Sequence, residues 1–370
     1  MNIYILTFHA VHNYGAILQA LAIQEHLSSQ GYEIKIIDYR SKRVDYNNFG
    51  VNYWSGLKQF VRGISRYRKP KKKFLKYRAF EKFKKAHYFL TPVYREPEEL
   101  GDSRFEKQVI VFGSDQIWNC ERGVSEVYCG RYFVESAIRI AYAPSFGTDR
   151  IPDRARKPLT KFLSDFDKIS VRENSGSRIL GELDLELGEI PVVLDPTLLL
   201  SWNEWEKYAL PMKETGHIFV YCMKPTLLFE ELLRHLRAEH PGKRIILFGS
   251  CNKTLGKIVD HYGMEFGPGE FLTLINQASL VVSDSFHGTA FSVNFEKPLI
   301  CIPHETRNER MSSLLTNLGC ENHQLGGIEE IEDVVAKASF TQEAELRSRL
   351  DRLRSSSREY LKKALADLEK

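Results

Sequence analysis

The chain has 370 residues, 43% of them hydrophobic and 27% charged, with a formal net charge of +4. That length exceeds one ordinary core and fits two domains of about 150 to 190 residues, and no run approaches the roughly 18 to 20 apolar residues of a membrane-spanning helix. Cys120, Cys129, Cys222, Cys251, Cys301 and Cys320 form no CxxC and no metal-like spacing with histidine, so free thiols in a reducing cytoplasm are expected, with neither disulfides nor a structural metal.

In chain order, the opening Met1-Asn-Ile-Tyr-Ile-Leu-Thr-Phe8 lacks a basic leader and a small-residue cleavage site, and reads as a first core strand over 3–8 rather than a signal peptide. After it, Asn13-Tyr-Gly15 precedes a helix. Backbone N–H groups there, approached closely at Gly15, suit a phosphate or carboxylate, although a plain strand-to-helix turn reads equally well; His9 and His12 are less tied to any role. A strand over 33–38 leads to a basic insertion at about 55–90. From Arg62 to Lys85 it carries twelve Lys and Arg against the single Glu81, leaving the rest of the chain net negative. Phe74, Tyr77, Phe80 and Phe83 recur every three residues after Pro70, which predicts a helix with an aromatic stripe and a cationic face. Such a helix packs its rings on a core with lysines outside, or meets an anionic membrane surface or acceptor. Nucleic acid is not expected, because no nucleic-acid-reading motif accompanies the charge.

An apolar strand over 108–112 runs into Gly113-Ser-Asp-Gln-Ile-Trp118. Ser114 and Asp115 stand at its end, and Asp115 either accepts a proton from a sugar hydroxyl or caps a helix. Strands over 138–143, 168–171 and 192–194 follow. Arg172, at a strand end, presents a planar fork for a carboxylate or phosphate, or pairs with an acidic neighbour. A Pro-punctuated linker near residue 200 separates this half from a second series, with strands over 217–222, 244–248, 280–283 and 299–302 and helices over 227–240, 270–277, 289–294 and 310–318. The stretch Leu280-Val-Val-Ser-Asp-Ser-Phe-His-Gly-Thr289 reads as strand, polar turn and helix start. It places Ser283, Asp284, Ser285, His287, Gly288 and Thr289 where ligands of α/β sheets collect. His287 serves there as acid or base, or as a helix cap. Beyond the last strand stand Arg307 and Arg310, whose charge suits a phosphorylated or polycarboxylate ligand.

This alternation predicts an α/β protein of two facing doubly wound, Rossmann-like domains, a GT-B-like architecture, with the ligand in the cleft between halves. The expected domains are 1–200, 201–340 carrying the His287 turn, and an amphipathic C-terminal helix over 341–370. No GxSxG, HExxH, Walker loop or DxD-like pair occurs, which argues against serine hydrolases, zincins, P-loop ATPases and metal-dependent transferases.

Over most of residues 1–320 the chain resembles the polysaccharide pyruvyl transferase family. The resemblance rests on Asn13-Tyr-Gly-Ala-Ile-Leu-Gln, Gly113-Ser-Asp-Gln-Ile-Trp-Asn, Ala143-Pro-Ser-Phe-Gly, Ile169-Ser-Val-Arg-Glu-Asn-Ser, Leu194-Asp-Pro-Thr and Ser283-Asp-Ser-Phe-His-Gly, in that order. It implies transfer of the enolpyruvyl group of phosphoenolpyruvate onto sugar hydroxyls of a bacterial surface polysaccharide precursor, with no cofactor beyond that donor. His287 is then the acid and Asp115 a base. Asn13, Gly15, Ser114, Arg172, Ser283, Ser285, Gly288, Thr289, Arg307 and Arg310 line the substrates. Members often carry arginine two residues before the matching histidine; here that position is Ser285, so either Arg307, Arg310 or Lys224 supplies the charge or the ligand differs in this branch. A cytoplasmic enzyme follows, held at the inner membrane surface through Arg62 to Lys85 if its sugar acceptor is lipid-linked. The competing readings are a GT-B glycosyltransferase using a nucleotide sugar and a non-catalytic glycan- or anion-binding homologue.

Overall fold

Short, largely apolar strands separated by helical stretches are best buried when the strands run parallel and the helices cross over them. The computed structural model, which describes residues 2–41, 70–183, 185–186, 188–303, 309–338 and 343–367, has this arrangement twice. The first sheet joins β1 (Asn2–Leu6), β2 (Glu33–Ile36), β3 (Val109–Phe112), β4 (Ile138–Ala141) and β5 (Lys168–Ile169), all parallel, in the order β2-β1-β3-β4-β5. The second joins β6 (Ile218–Cys222), β7 (Ile245–Gly249), β8 (His261–Tyr262), β9 (Leu280–Ser283) and β10 (Leu299–Cys301), again all parallel, in the order β10-β9-β6-β7-β8. Every residue of β3, β6 and β9 is buried, as expected of strands covered on both faces.

The helices are α1 (Tyr14–Ser28), α2 (Pro70–His87), α3 (Asp153–Leu163), α4 (Asn174–Gly181), α5 (Leu227–Glu239), α6 (Pro268–Asn276), α7 (Phe286–Asn294), α8 (Glu309–Leu318) and α9 (Glu343–Ala366), besides shorter turns. The chain divides into two compact units, one of residues 1–71, 80–199 and 353–370, the other of 72–79 and 200–352. Trp118, Phe105, Phe112 and Phe146 are fully buried in the first unit, and Trp205, Phe219, Phe248, Phe271 and Phe291 in the second.

The two strand orders have a shared consequence. In the first sheet the winding reverses between β1 and β3, and in the second between β6 and β9. At such reversals the outgoing connections part and leave a crevice at the carboxyl ends of the two strands. The turns Thr7–Asn13 and Gly113–Trp118 flank the first crevice, and Met223–Lys224 and Asp284–Ser285 flank the second.

Several elements differ from the sequence expectation. Residues 192–194 form no strand; a lone bridge from Val192 to Val171 is all that forms beside Pro191 and the Asp195-Pro196 turn. The two-residue β8 has no apolar run to announce it. Helix α7 begins at Phe286, three residues before the expected start, so His287 belongs to its first turn and not to the loop. The aromatic stripe of α2 is not uniform: Phe80 and Phe83 are buried in the first unit, whereas Phe74 is 58% exposed. The insertion before Pro70 lies outside the described residues.

On α9, Leu346, Leu350, Leu361 and Leu365 are buried among charged residues. Truncating the fully buried Leu365 to alanine is expected to cost about 2–5 kcal/mol by lost burial and cavity formation. Urea denaturation checks this; a change below about 0.5 kcal/mol, the range of surface positions, contradicts it.

Candidate functional site

The crevice between β6 and β9 is built by side chains that follow directly on their apolar runs. Tyr221 pairs with Ser283 in the ladder, so the next residues leave the sheet side by side. The Ser283 hydroxyl donates to the Tyr221 carbonyl (3.1 Å) and accepts the Ser285 N–H (3.0 Å). Asp284 turns the other way: Oδ1 accepts the Met223 N–H at 2.6 Å and Oδ2 the Lys224 N–H at 2.8 Å. Ser285, in extended conformation, is the N-cap residue of α7, and its hydroxyl makes no capping bond. Phe286 and His287 then open a helix whose nine residues are all buried.

The helix approaches β9 closely because Gly288 lacks a side chain. A Cβ there would stand 2.1 Å from Ser283 Oγ. His287 is 6% exposed, its ring edge-on to Phe286 at 5.2 Å. The Arg310 guanidinium lies over the Phe286 ring, 5.9 Å from its centre, which brings a cation from α8 to the start of α7. Thr289 is placed elsewhere: fully buried, its hydroxyl lies 3.1 Å from Met311 Sδ and 3.4 Å from Cys301 Sγ. Arg307 lies outside the described residues.

Asp284, which the sequence placed in the polar turn without a role of its own, has a distinctive environment. Burial pushes its carboxyl up to about 6, against the opposing pull of the Met223 and Lys224 N–H groups. A carboxyl titrating near neutrality, three residues before a histidine at a topological switch point, has the character of a functional group. The signal available in the sequence was its place immediately after the β9 apolar run.

The crevice between β1 and β3 has a different character. Gln19 of α1 fills it: its amide nitrogen lies 2.9 Å from Thr7 Oγ1, and its carbonyl accepts the Ser114 N–H at 3.1 Å. Thr7 in turn donates to the Ser114 carbonyl (3.0 Å). Asn13 caps α1 by accepting the Ala16 N–H, and Gly15 is buried in the first helical turn. Ser114 is fully buried, its hydroxyl 2.8 Å from the Ala143 carbonyl and 3.0 Å from Asp195 Oδ2. Asp115 sits at φ +68, where its carboxylate accepts the following N–H.

Arg172 is the hub of this end of the first unit. Its side chain is 1% exposed, with Nη1 2.6 Å from Asp195, Nη2 3.8 Å from Asp115 and Nε 3.9 Å from Glu173. Burial disfavours its charge, yet those three carboxylates hold its pKa above the usual arginine value. Glu173 is itself fully buried, one oxygen accepting from Ser145 Oγ and the Phe146 and Gly147 N–H groups. Three carboxyl groups thus surround one guanidinium. The acidic pairing open to Arg172 in the sequence is the geometry observed, through Asp195 and Glu173 as well as Asp115.

The histidines of the first turn are engaged with carboxylates. His9 Nε2 lies 3.0 Å from Asp38, which also receives Arg40, and His12 Nε2 lies 2.9 Å from Glu81, which pairs with Lys84. Burial would raise both carboxyls, but His9 with Arg40, and His12 with Lys84, hold Asp38 and Glu81 at about 2. Among the described residues no group of three His, Cys, Asp or Glu is placed to hold a metal ion, and no helix is long and apolar enough to cross a membrane.

A family model described as polysaccharide pyruvyl transferase matches residues 13–306. No curated protein matches the chain. Among solved structures, the UDP-GlcNAc 2-epimerase from Neisseria meningitidis bound to UDP-GlcNAc is similar with TM-score 0.53 at 10% identity, over 99% of this chain and 100% of the epimerase. A heptosyltransferase from E. coli with ADP gives TM-score 0.42 at 13% identity, over 92% and 100% of the two chains. The shared property is the GT-B fold of two parallel-sheet α/β domains.

The raised carboxyl has a measurable consequence. Folded Asp284 keeps its proton to about pH 6, whereas the unfolded chain releases it near the ordinary aspartate value of 3.8. Between those values the folded state binds more protons, so stability falls as pH rises from about 4 to 6 and then levels. A shift of this size corresponds to roughly 3 kcal/mol. Urea unfolding of wild type and Asp284→Asn at pH 4 to 7 is expected to show wild type losing that stability relative to the variant; a pH-independent difference contradicts the shift.

Proposed function

The chain belongs to the polysaccharide pyruvyl transferase family, and on that premise we propose that it moves the enolpyruvyl group of phosphoenolpyruvate onto two hydroxyls of a sugar in a bacterial surface polysaccharide precursor. The products are a cyclic pyruvate ketal and phosphate. The observation that carries this reading is the convergence at the β6/β9 crevice of His287, the start of α7 behind an uncapped Ser285, and the Arg310 cation over Phe286.

Each part matches a requirement of the donor. Phosphoenolpyruvate carries a phosphate and a carboxylate, and helix-start N–H groups, the Ser285 hydroxyl, Arg310 and Lys224 supply hydrogen bonds and positive charge for them. Ser285 replaces an arginine common in the family, and Arg310 and Lys224 supply the missing charge. His287 in its imidazolium form gives a proton to the methylene carbon, and the central carbon becomes electrophilic. One sugar hydroxyl attacks that carbon while Asp115, as base, takes the hydroxyl proton. The carbon–oxygen bond to phosphorus breaks, phosphate leaves with the bonding pair, and the second hydroxyl adds and loses its proton to close the ketal. Lipid linkage of the acceptor, with the cationic helix α2 resting on an anionic membrane surface, belongs to the same proposal.

His287→Gln and His287→Ala are expected to lower phosphate release from phosphoenolpyruvate, with its proper acceptor, by about 10²–10⁴, with folding checked by thermal melting. Unchanged turnover in both sinks the acid assignment. Asp115→Asn is expected to lower kcat by about tenfold or more with the donor KM little changed. In a thermal-shift comparison, phosphoenolpyruvate is expected to protect the protein; protection by nucleotides alone would support the nucleotide-sugar reading instead.

A further inference from the structure

We propose that Asp284 is a positioning residue that fixes the backbone of Met223 and Lys224, and thereby holds the Lys224 ammonium for an anionic group of the donor. The proposal rests on the donor reading above. Its basis is the way β6 and β9 end. The ladder between them stops at Tyr221 and Ser283, and beyond it two consecutive N–H groups, of Met223 and Lys224, have no strand to pair with. One carboxylate takes both, an oxygen to each, at 2.6 and 2.8 Å. Charge-assisted bonds of this length are the strong ones, and two on successive amides leave the loop little freedom.

Packing cannot replace those bonds. Met223 is 43% exposed and Lys224 is exposed, so neither side chain is wedged in a core that would set its direction. The two residues at the end of β9 act on different neighbours. Ser283 ties the start of α7, through the Ser285 N–H, and Asp284 ties the loop after β6. The fold loses stability by this arrangement at neutral pH, because a carboxyl 9% exposed is kept ionised against its burial. A residue held at such a cost, at a switch point beside His287, is placed for the site and not for the core.

The test is a double-mutant cycle read with inorganic phosphate as probe and with donor kinetics. Loss of one charged contact is expected to weaken phosphate binding about tenfold or more in Lys224→Met, and to a similar degree in Asp284→Asn, whose amide can accept only one of the two N–H groups. The double variant is expected to bind no more weakly than Lys224→Met. The donor KM rises in the same pattern while kcat changes less. In wild type, phosphate titration shifts the Lys224 side-chain resonances, a readout that needs no folded variant. Unchanged phosphate affinity in Asp284→Asn, full additivity in the double variant, or unmoved Lys224 resonances overturns the proposal. Phosphate binding in the expected pattern without any phosphate release from phosphoenolpyruvate would defeat the donor reading and leave the positioning role intact.

Discussion

The reversal of winding within each parallel sheet is the constraint on which the rest depends. Parallel strands leave their last N–H and C=O groups at one end, and where neighbouring connections turn opposite ways nothing in the sheet covers those groups. Something must satisfy them. In the second unit the answer is Ser283 and Asp284, whose side chains bind the backbone of β6 and its following loop. Gly288 then lets α7 come down on Ser283, and the position of His287 follows from that approach.

The first unit meets the same constraint with a neutral side chain. Gln19 reaches from α1 to bond Thr7 and Ser114 across the β1/β3 reversal, and Asn13 closes the helix start. Around it Arg172 is outnumbered by Asp115, Glu173 and Asp195. Glu173 and Asp195 are buried there with it, so this cluster is internal wiring of the first unit, whereas in the second unit Arg310 stands over Phe286 at the start of α7.

Much of the fold was legible because burial writes itself into composition. Val109–Phe112, Ile218–Cys222 and Leu280 to Val282 are unbroken apolar runs, the pattern expected of a strand covered on both faces. His261–Tyr262 has no such run and was unreadable, since a two-residue edge strand is defined by its neighbour's ladder. The positions of the polar turns were legible too, because ligand sites collect at strand ends. Their internal wiring was not. Asp195 lies 23 residues from Arg172 and Asp284 lies 61 from Met223, and pairings across such gaps depend on which strands become neighbours. The start of α7 at Phe286 was hidden for a related reason: Ser285 caps without a side-chain bond, so the usual capping signal is missing.

The central claim is that the donor's anionic groups are held at the β6/β9 crevice. Amide hydrogen exchange with and without phosphoenolpyruvate tests it most directly, since a ligand that binds one set of turns slows their opening. Protection concentrated in residues 222–226 and 283–289 is the predicted result. Protection confined to the turns after β1 and β3, or none at saturating phosphoenolpyruvate, would contradict it.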